Sequence, residues 1–252
     1  MFTATMLRSG KKLQPLRKSF IKAELKHLIP FFIGAALFSS CDKEVSKNID
    51  QSKIWTCFEL RYNQSADKTY ATAVFRFGNS SGSVLTLSEP SEVMFDNEAL
   101  NWNSETGYYE KEFIGIKPTG TFEWTDTEGN SYTNTVEIRD VVYDVLPDTI
   151  FKSQGDVQFM WAGNPILADE VISLTIDGSG ETDTRVFYAD TLGETFIRLD
   201  SLKLSQITSG AITLNLGLRY SPEMQAQTER GGKRLGLYQA FEQTIVLADS
   251  IP

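Results

Sequence analysis

The chain has 252 residues, room for one large or two ordinary domains, and 41% hydrophobic and 12% aromatic content, which excludes disorder throughout. Seven of its 24 lysines and arginines but only one of its 33 acidic residues lie in residues 1–41, so 17 basic and 32 acidic residues follow, about −15 in net charge. So acidic a surface argues against nucleic acid or an anionic bilayer as partner, because both require positive charge on the protein. The only histidine, His27, lies in the same N-terminal stretch. Without an imidazole downstream of it, Ser-His-Asp and Cys-His catalysis and histidine-ligated zinc are excluded there.

Arg8, Lys11, Lys12, Arg17, Lys18, Lys22 and Lys26 make a basic leader, and an uncharged stretch from Leu28 to Ser40 follows it. That length fits the apolar segment of a secretory signal peptide and is short for a helix spanning a bilayer. The closing residues, Leu37-Phe38-Ser39-Ser40-Cys41, resemble a lipobox, the cleavage and lipidation signal of bacterial lipoproteins. Small Ser39 and Ser40 match it, while Phe38 departs from the usual aliphatic residue. The resemblance implies that residues 1–40 are removed and that lipid on Cys41 holds the protein to a membrane. With Cys41 so engaged, Cys57 has no disulfide partner, and the fold must rest on its hydrophobic core. Between Trp55 and Phe58, Cys57 reads as a small buried hydrophobe.

Asp42-Lys43-Glu44 resembles the short charged export signal of surface lipoproteins of the Bacteroidota. This implies an outer-membrane, cell-surface location, with a periplasm-facing one as the alternative. Asp148-Thr149-Ile150, Asp190-Thr191-Leu192, Asp200-Ser201-Leu202 and Asp249-Ser250-Ile251 each resemble the O-glycosylation sequon of that phylum, and each also reads as ordinary turn residues.

Residues 41–53 are polar, lack apolar periodicity and read as a flexible lipidated tether. From Trp55 the hydrophobic period becomes two. Ala71, Ala73, Phe75 and Phe77 share one face of a predicted strand, a short strand follows at Val84–Leu87, and Phe122 and Trp124 mark another. Asp126-Thr127-Glu128-Gly129-Asn130 turns that strand into Tyr132–Ile138. Asp144-Val145-Leu146-Pro147-Asp148 interrupts the alternation, and we place a domain boundary there. Beyond it Ile172, Leu174 and Ile176 alternate with Val171, Ser173 and Thr175. Ile212, Leu214, Leu216, Leu218 and Tyr220 oppose Ala211, Thr213, Asn215, Gly217 and Arg219, and Thr244–Leu247 closes the unit. Only Asp200–Ser205 and Pro222–Thr228 suggest short helices. The expectation is an all-β chain of two consecutive antiparallel β-sandwiches, residues 54–146 and 147–252, after the signal helix and tether. The first resembles the immunoglobulin-like modules of Bacteroidota surface lipoproteins in its Ala71–Phe77 strand, Leu85–Leu87, and Phe122-x-Trp124 strand with the Glu128-Gly129-Asn130 turn. One domain of about 200 residues is the competing architecture.

No metal, cofactor or nucleophile motif stands out. Asp126-x-Glu128-x-Asn130 has alternating oxygens, but its glycine and the missing later glutamate do not fit a helical calcium loop. Gly231-Gly232-Lys233-Arg234 lacks the spacing of a phosphate loop and reads as a glycine turn. Trp102, Tyr108 and Tyr109 lie in a polar stretch that would present flat apolar faces to a sugar ring or a protein; Trp55, Trp124 and Trp161 sit in strand patterns and read as core. The leading expectation is therefore a non-catalytic, membrane-anchored envelope lipoprotein that binds a polysaccharide or an outer-membrane protein without a cofactor. The glycan part rests on the resemblance to surface lipoproteins of nutrient-uptake systems, whose immunoglobulin-like modules hold polysaccharide. A structural or adhesin assembly subunit and a glycoside hydrolase working through paired carboxylates are the alternatives.

Overall fold

The computed structural model describes residues 44–180 and 183–251. The signal segment 1–40 and Cys41 lie outside the described residues. The strands of the first part are β1 (Glu44–Val45), β2 (Ile54–Asn63), β3 (Lys68–Phe77), β4 (Leu85–Thr86), β5 (Glu92–Phe95), β6 (Glu98–Ala99), β7 (Asn101–Asn103), β8 (Tyr108–Ile114), β9 (Thr119–Thr125) and β10 (Ser131–Glu137). Then come β11 (Val142–Tyr143), β12 (Thr149–Phe151), β13 (Val157–Ala162), β14 (Glu170–Asp177), β15 (Thr184–Ala189), β16 (Phe196–Leu199), helix α1 (Ser201–Ser205), β17 (Gly210–Tyr220), β18 (Gly232–Gln239) and β19 (Gln243–Ala248).

The molecule is all-β and built as packed, sandwich-like sheets. One large sheet runs β12-β19-β17-β18-β2-β3-β8-β7, with β14 also paired to β17 and β15 to β14. Smaller sheets, β10-β9-β5-β6 and β11-β13-β16, complete the layers. Strict alternation on β2, β14 and most of β17 sends Ile54, Phe58, Leu60, Ile172, Leu174, Ile176, Leu214 and Leu216 into the core. Facing them, Phe122 stacks on Phe58 with ring centroids 5.1 Å apart, and Trp124 packs on Phe75 at the same distance. Such pairs contribute about 0.5–1.5 kcal/mol each beyond the area they bury.

At the boundary expected near 146/147 the sheet does not break. β18 pairs in parallel with β2 over eight residues, from Gly232 beside Thr56 to Gln239 beside Asn63, and antiparallel with β17 on its other edge. Strand β11, before the boundary by pattern, pairs with β13 after it. The two halves thus share one hydrogen-bonded sheet, because β2 would otherwise present an unpaired edge. Gly236 permits the close fit: a Cβ there would come 1.7 Å from the Glu137 carbonyl oxygen.

Residues 222–228, expected as a helix, form a loop that lies against β10. The fully buried Asn134 accepts from the backbone N–H groups of Gln225 (2.9 Å) and Ala226 (3.3 Å) and donates to the Ala226 carbonyl at 2.8 Å. The loop's polar backbone groups are thus satisfied by a side chain of the neighbouring strand instead of by helical bonds. Residues 44–53, expected as flexible tether, are also packed. β1 pairs with β4, and Gln51 and Ser46 are buried, with Gln51 Nε2 donating to the Ser46 and Ile49 carbonyls. The other expected helix is present as α1, with Asp200 Oδ1 accepting from Lys203 N at 3.0 Å.

Between Leu214 and Gly217, β17 exchanges β19 for β18 as its partner. The Tyr143 hydroxyl fills that gap, donating to the Leu214 carbonyl at 2.7 Å and accepting from Leu216 N at 2.9 Å.

Two outcomes follow from these anchors. Asn134→Ala should lower unfolding free energy by about 2–4 kcal/mol, read by urea denaturation, because it leaves several buried backbone groups unpaired. Burial pushes the Tyr143 phenol up to about 12 from 10.0. A raised pKa in the folded state makes its contribution complete below pH 10 and lost as pH rises toward 12. Tyr143→Phe should be about 1–3 kcal/mol less stable at neutral pH and should lose less of its remaining stability above pH 10 than the wild type.

Candidate functional site

Alternation also leaves every second residue of the large sheet turned from the core. On β2 these are Trp55, Cys57, Glu59, Arg61 and Asn63, and all are half-buried. Trp55 and Cys57, read from sequence as core, therefore belong to the outer face; burial still pushes the Cys57 thiol up to about 11, which leaves it unreactive. Trp124 and Trp161 are in the core.

The register lines up side chains from distant segments on this face. One row runs Val171, Arg219, Leu237, Arg61, Tyr70 across β14, β17, β18, β2 and β3. The next runs Tyr188, Ser173, Gly217, Gln239, Asn63. With no side chain at Gly217, the face is hollowed there into a depression of about 240 Å³, and an adjoining one of about 480 Å³, bordered by Tyr188 and Asp190, shares Ser173, Arg219 and Leu237 with it. A Cβ at 217 would lie 3.1 Å from the Tyr238 carbonyl oxygen, so the sheet itself is close-packed beneath the hollow. Tyr188, 60% exposed, stands at the rim.

Polar atoms in this hollow lack partners. Arg61 Nε is shielded from water yet has no hydrogen-bond acceptor; its guanidinium lies over Tyr70, 5.0 Å from the ring centroid, and Nε is 3.7 Å from Glu59 Oε1. Asn215 donates from Nδ2 to Asp177 Oδ2 at 3.1 Å, while its buried Oδ1 receives nothing. Arg219 forms no ion pair with another described residue, whereas Lys53, Lys68, Lys111, Lys117, Lys152 and Arg198 all do. Burial raises the Glu59 carboxyl above its usual range, against the pull of Arg61.

The residues singled out from sequence do not form one surface. Trp102 on β7 pairs with Tyr109 on β8, their ring centroids 5.1 Å apart. Tyr109 is core: it packs on Phe75, and its hydroxyl accepts from Leu87 N at 2.7 Å. Tyr108 alternates to the opposite face and is 37% exposed. Trp102 borders a shallow depression of about 580 Å³ formed with Glu105, Glu110 and Lys111, but it is partly buried against the core.

A second cleft, about 530 Å³, lies between residues 137–142 and the Trp161–Glu170 segment. Of the carboxylates that line it, Glu137, Asp140 and Glu170, two are tied down: Arg139 donates to Glu170 Oε1 at 2.8 Å and to Glu137 Oε1 at 3.3 Å, and Leu167 N donates to Glu170 Oε2. Arg139 also lies 3.6 Å over the Tyr220 ring. With both oxygens engaged, Glu170 braces the cleft. The Asp126 loop is a turn, as expected: buried Asp126 accepts from Glu128 N, Asn130 N and Asn130 Nδ2. Gly232 and Arg234 are structural, the latter donating to the Thr135 and Glu223 carbonyls. Of the sequon-like hydroxyls, Thr191 and Ser250 are exposed, while Thr149 and Ser201 are half-buried. Among the described residues no cluster of acidic, histidine or cysteine side chains is arranged to hold a metal, and no helix is long and apolar enough to cross a membrane.

No protein-family model and no curated protein matches the chain. Solved structures similar to it include the FN1-FN3 domains of chicken CNTN1 at 10% identity and a TM-score of 0.25, covering 78% of this chain and 67% of that one. Another is a Ca2+-stabilized adhesin that helps an Antarctic bacterium bind ice, at 13% identity and a TM-score of 0.25, covering 78% of this chain and 49% of that one. This chain thus spans about half the length of the adhesin chain it matches.

Because Trp102 is a packing residue, Trp102→Ala should cost about 2–3 kcal/mol of stability, visible as a lowered melting temperature, and should act on any ligand only through that loss.

Proposed function

We propose that this chain is a non-catalytic, lipid-anchored envelope protein that binds a glycan on the outer face of its large sheet. The observation that carries this reading is the hollow at Gly217. It combines an exposed aromatic ring, Tyr188, with Ser173, Thr175, Gln239 and Asn215 as hydroxyl and amide groups on one rigid surface. A flat ring beside fixed donors and acceptors suits a sugar, which offers apolar ring faces and hydroxyl edges together. Loops play little part in it, and strands hold polar groups in place more closely than loops do. The missing imidazole downstream of His27 and the engaged Glu170 support binding over hydrolysis.

The Leu37–Cys41 motif and the Asp42-Lys43-Glu44 that follows support anchoring by lipid on Cys41 at the outer membrane, facing the cell exterior. Since β1 begins at Glu44, only Asp42 and Lys43 separate that cysteine from the folded body, which would therefore sit close to the lipid.

Tyr188→Ala tests the face. An exposed substitution should leave the melting temperature nearly unchanged. Retention on polysaccharide affinity gels should weaken at least about threefold, the equivalent of a lost aromatic contact. Unchanged retention would remove the sheet face from the account.

A further inference from the structure

The paired cations of the hollow say more about what it takes, on the reading that the ligand is a glycan. We infer that the Gly217 hollow selects a carboxylate-bearing polysaccharide, a polyuronate, through Arg61 and Arg219. In the strand order β17-β18-β2 these two arginines flank Leu237, so their strands are two spacings, about 10 Å, apart. Both side chains line the hollow.

Charge complementarity carries the assignment. Downstream of residue 41 the chain is about −15, and among the described residues eight of its cations are ion-paired with acidic neighbours. Arg219 is not, and Arg61 has a shielded Nε–H with no acceptor beside a single carboxylate at 3.7 Å. A buried N–H without a partner is costly, and a turn of the 44% exposed Arg61 side chain would bring it to an acceptor arriving with a ligand. The planar guanidinium fork is matched to carboxylate oxygens. In a hexuronate the carboxyl carbon is bonded directly to the ring and projects outward near its mean plane. A ring lying flat over Gly217 therefore directs its carboxylate at the wall of a shallow hollow, where the arginines stand. A sulfate ester, on its extra oxygen, would stand off the ring. Asn215 Oδ1, a shielded acceptor without a donor, borders the same hollow.

The acidic remainder of the surface sharpens the selection. Glu59 beside Arg61 and Asp190 at the adjoining depression confine the positive field to the two guanidinium groups, so binding should be local and should fall as salt screens the contact.

The test is affinity electrophoresis of the full chain through gels holding polygalacturonate, its methyl ester, dextran sulfate or neutral dextran. Polygalacturonate should retard the wild type, the ester and dextran should not, and dextran sulfate should act more weakly. Arg219→Gln and Arg61→Gln, on the outer face and checked for unchanged melting, should each weaken retardation by polygalacturonate about tenfold. Equal retardation by acid and ester would overturn the polyuronate assignment while leaving a neutral-glycan reading in place. Equal or stronger retardation by dextran sulfate would overturn it in favour of a sulfated ligand. Retardation unaffected by either arginine substitution would overturn the site. No retardation by any of these polymers would overturn the polyuronate; a neutral-glycan panel bound through Tyr188 would then decide separately whether the wider reading fails with it.

Discussion

Eight consecutive parallel pairings between β2 and β18 hold this molecule together, and the rest of its architecture can be traced from them. β18 carries β17, β14, β15 and β19 with it on its far edge, so the pairing joins strands from opposite ends of the chain into one sheet. It needs a β18 that can lie flush against its neighbours, which Gly232 and Gly236 provide where a Cβ would strike the Thr56 and Glu137 carbonyl oxygens. It also needs the loop before β18 to be held down, and Asn134 does this from β10. Parallel ladders are slightly weaker per residue than antiparallel ones, so the side-chain anchors around this one matter more than they would elsewhere.

The same pairing makes the outer face that holds the hollow. Arg219 and Arg61 are far apart in sequence and come together only because β18 has a β17 edge and a β2 edge. A sheet divided at the β18–β2 seam would leave Arg61 on an edge strand, away from Arg219. Joined, the sheet is continuous from Tyr188 to Tyr70 and carries both arginines on one face.

Much of the strand content was legible in the sequence because burial in this fold is nearly one-sided. Ile172, Leu174 and Ile176 and the run from Ile212 to Leu218 alternate cleanly, and each lands on the core face as the period requires. Alternation tells which residues share a face, yet it is silent on which strand lies alongside. Hence the 146/147 break, read from Pro147 and its acidic neighbours, is a surface loop between β11 and β12. Residues 44–53 and 222–228 differ from their sequence patterns for a related reason. Their order comes from single polar side chains, Gln51 and Asn134, that reach into the backbone of other segments, and polarity in sequence reads the same whether satisfied by protein or by water. Trp102 looked available because its neighbours are polar; its cross-strand partner Tyr109 draws it toward the core. The hollow itself had one visible trace, a glycine at position 217 in an otherwise regular outward row, and nothing in the sequence indicated what it faced.

The long reach of the β2–β18 ladder also governs when the protein can fold. Asn63 and Gln239, which pair side by side, are 176 residues apart, so the first long strand made cannot find its parallel neighbour until nearly the whole chain is present. Topologies of such high contact order fold slowly, and the waiting strands keep open edges that invite association with other chains. Until then β2 has only its hairpin partner β3 beside it, and the edge that β18 will cover stays open.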